Sequence, residues 1–261
     1  MNSFAFGRFG DLSGMRVLDL GAGGGRHAIE AARMGASVVC VELDDASLAS
    51  IEQNALDAAG FLALEPRLLA DRILVVKGDA RALPFCEGSF DLVIAAEILE
   101  HIRDDATVLA EIYRCCAPGG FLGVSVPRAF PEALNWLLSL AYHSAEGGHI
   151  RIYFRRVLFR RLGAAGFVGI THHYAHGLHS PYWWLKCLFG VDREPSGVVK
   201  RFHGLLVAQL MGNSPRADRI ERVVQPLIGK SIVVYARRET GGTHVLPGQL
   251  GRTHASARIV S

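Results

Sequence analysis

The stretch "VLDLGAGGGRHA", residues 17–28, sets a short apolar run against a turn of small residues. Val17, Leu18 and Leu20 flank Asp19, and four glycines, Gly21, Gly23, Gly24 and Gly25, fall within the next five positions. A run of this kind that stops at glycine reads as a strand entering a sharp bend. Glycine, lacking a Cβ, permits a positive φ and also the close approach of a bound molecule to the backbone. "GRHAIEAARMG" then takes up helical spacing until Gly35. Strand, glycine turn and helix open a βαβ unit.

The same alternation continues outward to about residue 126. "SVVCVEL" predicts a second strand and "DDASLASIEQNALDAAG" a helix capped by Asp or Ser; "RILVVKGDA" and "FDLVIAAEIL" predict strands three and four. "DDATVLAEIYRCCAPGG" predicts a helix ended by Pro118-Gly119-Gly120, and "FLGVSVP" a fifth strand. These runs are almost wholly apolar, as strands covered by helices on both faces must be. Beyond Pro127, helices are predicted over 131–145 and 153–167, a sixth strand over 168–175 and a last one over 231–238. The expected fold is α/β: a doubly wound, Rossmann-like seven-stranded sheet, mostly parallel with its last strand antiparallel, and a helical lid insertion. About fifty residues separate the last two strands, a length typical of a binding element.

At 261 residues the chain is expected to form a single domain over 1–240, with lid elements at 128–150 and 177–230 and a flexible tail at 241–261. Hydrophobic residues make up 50% and charged ones 20%, which excludes a disordered chain. The net charge of +3 requires no polyanionic partner, so nucleic acid is not expected. Five cysteines without a CxxC pair fit a reducing, cytoplasmic setting. The N-terminus has no signal-peptide pattern and no 18 apolar residues run uninterrupted, so membrane contact is expected to be peripheral at most.

The glycine turn excludes two nucleotide sites. No lysine follows it, which removes the P-loop, and Arg26 stands where a dinucleotide fingerprint has its third glycine. Asp19-x-Gly21-x-Gly23-x-Gly25 instead resembles the class I S-adenosylmethionine-dependent methyltransferases, in particular the small-molecule group that includes the ubiquinone and menaquinone biosynthetic enzymes. The resemblance continues in order through "VVCVELD", "VKGDARALPF", "LPFCEGSFDLVIAAEILEHI" and "EIYRCCAPGGFLGVSVP". It implies S-adenosylmethionine as cofactor. Asp19 then serves its amino-acid part, Gly21, Gly23 and Gly25 let the backbone approach it, and Glu42, beside Leu43, takes the ribose hydroxyls. Asp79 and the Ala80 amide take the adenine, and Glu97 is assigned to the same site.

The acceptor is less legible. The [ND]PP[YF] motif of exocyclic-amine methylation is missing after strand four, where "AAEILEH" stands, and the acidic ligand set of the metal-dependent catechol type finds no match, so no metal is expected. His101 sits where it can take a proton from a hydroxyl or orient the following loop. "EGGHIRIYFRR" resembles a substrate-side element and offers His149 as a second catalytic candidate, with Arg151 and Tyr153 on the acceptor. In "THHYAHGLHSPYWWL", strand alternation sends His172 and His173 to opposite faces, against a shared metal. His176, His179, Tyr182 and Trp183 are expected to line an acceptor cavity instead. The arginines of "FRRVLFRRLG" read as a solvated face. Methylation of a small or lipid-like acceptor at oxygen is the expected function; carbon methylation of a quinone or isoprenoid, RNA methylation and a non-catalytic cofactor binder are the alternatives. With only 14 residues before strand one, closure of the site falls to the lid or to the partner in a homodimer.

Overall fold

In the computed structural model, which describes residues 2–65, 67–139, 148–190, 196–210 and 213–240, seven strands form one sheet in the order β3-β2-β1-β4-β5-β7-β6. The strands are β1 (Arg16–Leu20), β2 (Ser37–Glu42), β3 (Ile73–Lys77), β4 (Phe90–Ala96), β5 (Cys116–Pro127), β6 (Phe167–Ala175) and β7 (Ser231–Arg238). All adjacent pairs through β5 are parallel, and β7 inserts antiparallel between β5 and β6. The expected sheet, with one antiparallel strand at the end of the chain, is what forms. Predicted residues beyond 139 of the helix at 131–145, and the expected tail at 241–261, lie outside the described residues.

Period-2 alternation splits each central strand between two cores. On one face Leu18, Leu20, Val93 and Val124 pack with α3 (Asp105–Cys115) and α5 (Arg155–Ala164) through Val108, Ile112, Leu158 and Leu162. On the other, Val17, Val38, Cys40 and Ile94 pack with α1 (Arg26–Arg33) and α2 (Asp45–Phe61) through Ala28, Ala31, Ile51 and Ala55. The second core also takes in the N-terminal segment. Phe4, Phe6 and Phe9 are buried there, and Phe9 meets Tyr235 and Phe121 with ring centroids 5.2 and 5.9 Å apart. The short N-terminus therefore covers β5 and β7.

This aromatic seal depends on Gly123. A Cβ at that position would lie 2.8 Å from Phe9 Cζ and 2.9 Å from Phe4 Cε1. Gly123→Ala is expected to destabilise the protein by about 1–3 kcal/mol, the usual cost of overpacking. Chemical denaturation checks this, and an unchanged midpoint would mean the rings are not locked against β5.

The insertion is helical, as expected. Apart from α4 (Ala129–Leu138), it supplies α6 (His179–Phe189), α7 (Gly197–Leu210) and α8 (Pro215–Ile228) between β6 and β7. These three pack on one another through Leu178, Tyr182, Phe202, Leu206, Ala217 and Val224. Glu221 of α8 fixes the turn that follows β6 by accepting hydrogen bonds from the Gly177 and Leu178 amides. Among the described residues, no helix is long and apolar enough to cross a membrane.

Candidate active site

Strand order reverses between β1 and β4, and in open α/β sheets ligands bind at the carboxyl ends of the strands flanking such a switch point. A cavity of about 620 Å³ lies there, a volume ordinary for a cofactor or small-molecule site. Leu20 and Gly21 line it from β1, Val41, Glu42 and Leu43 from β2, and Gly78, Asp79, Ala80 and Arg81 from the turn after β3. Glu97, Ile98, His101, Ile102 and Arg103 close it from the segment after β4.

The glycine turn is shaped from below. Gly21 has φ +68°, and a Cβ on it would lie 2.6 Å from Ile98 Cδ1, so nothing larger than glycine fits. Gly23 donates its amide to Glu42 Oε2 at 2.9 Å, with φ +52° and open space where a Cβ would be. Gly25 begins α1 in the left-handed region, and its missing Cβ makes room for Ile51 at 3.1 Å. Gly23 and Gly25 stand outside the cavity lining, with Gly25 serving helix packing.

Asp19 is fully buried beneath this turn. Its Oδ2 accepts the Ala28 amide of α1 at 3.0 Å, while Oδ1 has no hydrogen-bond partner. Burial pushes its carboxyl up to about 7, against the opposing pull of the Ala28 amide and the Arg26 charge. Glu42 Oε1 accepts the amides of Leu43 at 2.7 Å and Asp44 at 3.3 Å, so its carboxylate is held at the cavity edge. Asp79 is gripped side-on by the Arg81 guanidinium, which holds its carboxyl below the usual range. Glu97 adopts φ +54°, a left-handed conformation costly for a non-glycine residue and concentrated at functional sites. Its amide donates to the Ser125 carbonyl at 2.8 Å, and the Ser125 hydroxyl donates to its carboxylate at 3.0 Å.

Residues 18–124 match the family described as a methyltransferase domain. They form a class I, S-adenosylmethionine-dependent methyltransferase domain. A ubiquinone biosynthesis O-methyltransferase of Sodalis glossinidius (strain morsitans) is 34% identical over 133 residues, which are 51% of this chain and 49% of that protein. A sterol 24-C-methyltransferase of Aspergillus fumigatus is 33% identical over 147 residues, 56% of this chain and 34% of that protein. The chain thus spans about half the length of the ubiquinone-biosynthesis relatives it matches. A solved S-adenosylmethionine dependent methyltransferase from Mesorhizobium loti superposes with a TM-score of 0.55 at 20% identity, covering 87% of this chain and 93% of that one. That likeness carries the fold.

The methyltransferase domain fits S-adenosylmethionine, its cofactor, on its own geometry. The unpartnered Asp19 oxygen lies beneath the glycine turn, behind Leu20 and Gly21 and outside the cavity lining itself, while the Glu42 and Asp79 carboxylates reach the cavity. Beside them lies a second group, drawn partly from residues beyond the matched segment. His101 lines the cavity, and its ring lies 5.0 Å, centroid to centroid, from that of His149. Behind both rings stands the fully buried Glu100, and His149 is tied to the equally buried Glu132 of α4. Burial and the neighbouring Glu97 carboxylate push the Glu100 carboxyl well above the ordinary range. Burial also pushes Glu132 up, but the His149 ring and the Trp136 indole outweigh it and hold that carboxyl low.

The other expected acceptor residues are placed elsewhere. Arg151 pairs with Asp105 Oδ2 at 2.7 Å, and the buried Tyr153 hydroxyl donates to the same carboxylate, so both are consumed in packing α3 against α5 rather than presented to the cavity. His176 is buried against the Ser3 hydroxyl at 3.0 Å, with His179 next to it. Burial lowers both imidazoles, His179 to about 4, so they are neutral near pH 7. Tyr182 packs with Phe202 inside the insertion, and Trp183 takes Lys186 and Lys230 over its ring. None of these six lines the cavity.

Sequence reasoning missed Arg81, Glu100 and Glu132. Glu100 lies inside the quoted phrase "EILEHI", and Glu132 is a lone carboxylate in an apolar helix. That pattern is itself a signal, because an isolated acid on a buried face needs a partner.

Proposed function

We propose that this protein transfers a methyl group from S-adenosylmethionine to an oxygen of a small or lipid-like acceptor. The observation that carries the reading is the continuity of one cavity from the Gly21, Glu42 and Asp79 end to His101 and Arg103. When bound, S-adenosylmethionine supplies an electrophilic methyl on a sulfonium. Glu42 accepts hydrogen bonds from a vicinal diol, which suits two carboxylate oxygens. Asp79, released from Arg81, and the Ala80 amide take an adenine edge, and Asp19 with Glu97 counters an ammonium. Ile98 and Ile102 exclude water between the two ends. The S–CH3 bond breaks as the O–CH3 bond forms, the hydroxyl proton leaves to solvent by way of the group formed by Glu100, His101 and His149, and positioning along one line supplies most of the acceleration.

Methyl-labelled S-adenosylmethionine offered with a panel of phenols, polyprenyl phenols and sterols tests this. Label on an ether oxygen is the expected result. Label on ring or side-chain carbon, as the sterol 24-C-methyltransferase relative allows, would replace the oxygen reading.

A pH dependence follows from Asp19. Its folded value of about 7 lies above the ordinary carboxylate value of 3.8, so folding takes up a proton. The contribution of Asp19 to the stability of the free protein is then fully present below pH 4, falls as pH rises toward 7, and levels off beyond. Cofactor binding runs the other way, because a cation beside Asp19 favours its ionised form. Affinity for S-adenosylmethionine is expected to rise up to about tenfold per unit below pH 7 and flatten above it. Asp19→Asn should remove that slope in calorimetric titrations at pH 6, 7 and 8.

A further inference from the structure

The Glu100 carboxylate is 0% exposed, and neither of its oxygens has a hydrogen-bond partner. A buried polar group left in that condition is costly and calls for something that compensates it. Two imidazole nitrogens face it. His101 Nε2 and His149 Nε2 each stand 4.0 Å from Glu100 Oε1, and the three atoms all lie within 4.8 Å of one another. These separations are too long for hydrogen bonds. Ligands that share one ion in a tetrahedral set at about 2.0–2.2 Å stand about 3.3–3.6 Å apart, so the three groups draw in by roughly half an ångström to hold one.

The far side of each ring supports the same arrangement. His149 Nδ1 lies 2.6 Å from Glu132 Oε1, and His101 Nδ1 lies 3.3 Å from the Gly148 carbonyl oxygen. Each partner accepts a hydrogen bond, which places a ring proton on Nδ1 and turns the Nε2 edge of each ring toward Glu100. An imidazole held from behind by a carboxylate or a backbone carbonyl is the usual outer support of a metal-bound histidine.

We infer that Glu100, His101 and His149 bind one divalent transition-metal cation, zinc or manganese, beside the cofactor cavity, with Glu132 positioning His149. Two nitrogens and one carboxylate suit these ions, whereas magnesium and calcium favour all-oxygen sets. Three protein ligands leave a position open, and one of them, His101, lines the cofactor cavity. A hydroxyl taken up there loses its proton more readily. This last role rests on the proposed methyl transfer; the cation site does not, because its binding is measured without any acceptor.

The test titrates tag-free, chelator-treated protein with zinc chloride and with manganese chloride by calorimetry, with metal content confirmed by mass spectrometry. One equivalent is expected, with affinity reduced at least tenfold in Glu100→Gln and in His149→Ala, and by about tenfold in Glu132→Gln. The double variant His176→Ala/His179→Ala should bind as the wild type does, which separates this site from the other histidines. Near-ultraviolet circular dichroism establishes that each variant is folded, and if Glu100→Gln fails this check, His149→Ala decides. No binding by the wild type, or binding lost only in the His176/His179 variant, overturns the inference.

Discussion

Replacing Glu42 and Asp79 together by alanine is expected to weaken S-adenosylmethionine binding roughly a hundred- to ten-thousandfold. Each carboxylate is assigned a charge-assisted hydrogen bond, worth about 1.5–3 kcal/mol, so the pair removes about 3–6 kcal/mol. The two lie on different strands' ends, β2 and the turn after β3, and both line the cavity. Glu42 carries a structural burden as well, since it accepts the Gly23, Leu43 and Asp44 amides. Its loss alone therefore loosens the glycine turn, and Glu42→Gln, which keeps an acceptor oxygen, should lose less affinity than Glu42→Ala. Asp79 has its own competitor in Arg81, 2.6 Å away, so Arg81→Ala should leave binding intact or tighten it slightly. A double variant that titrates within threefold of the wild type would show that the cofactor reading places these carboxylates wrongly.

Asp105→Ala is expected to destabilise the protein by about 3–5 kcal/mol while leaving cofactor affinity near the wild-type value. The Asp105 carboxylate is 3% exposed and receives Arg151, Arg161 and the Tyr153 hydroxyl. Removing one partner of a buried charged network leaves the others uncompensated, which costs far more than an exposed ion pair returns. Tyr153 would be left buried with one remaining acceptor, the Leu99 carbonyl at 3.4 Å. Tyr153→Phe, which removes one hydroxyl, should cost about 1 kcal/mol. Denaturant unfolding and calorimetry on the same samples separate the two effects. A collapse of cofactor binding in folded Asp105→Ala would instead tie this network to the cavity, through Arg103, which lines both regions.

Residues 15–127 were legible because each strand there is short, apolar and punctuated by glycine or a helix cap. Asp44 and Asp104, for instance, cap α2 and α3 by accepting the Ser47 and Thr107 amides. One boundary was not. The helix expected to run to Pro118-Gly119-Gly120 stops at Cys115, and β5 begins at Cys116, paired with Phe90. Long-range bonding overrides local pattern there, since the Cys116 carbonyl accepts the Arg238 guanidinium at 2.7 Å and the ladder resumes only at Phe121 opposite Leu92.

The acceptor side shows a different limit. Strand alternation correctly separated His172, which meets Phe159 and Tyr174, from His173, which stacks on Tyr235. It carried no information about His176, which meets Ser3 of the N-terminal segment, or about His179 beside it. Spacing was likewise silent on the meeting of Glu100 and His101 with His149, which is tied by the Ile150 amide on the Glu100 carbonyl at 3.0 Å and by the Gly148 and Glu132 contacts of the two rings. A cluster built by such long-range bonds has no sequence period to betray it.

The most direct test of the central claim is a calorimetric titration of the wild-type protein with S-adenosylhomocysteine at pH 8, where Asp19 is ionised. The account expects one site of micromolar affinity, equivalent to about 8 kcal/mol. A folded protein that takes up no ligand at millimolar concentration would contradict it, and the glycine turn over Asp19 would then need another occupant.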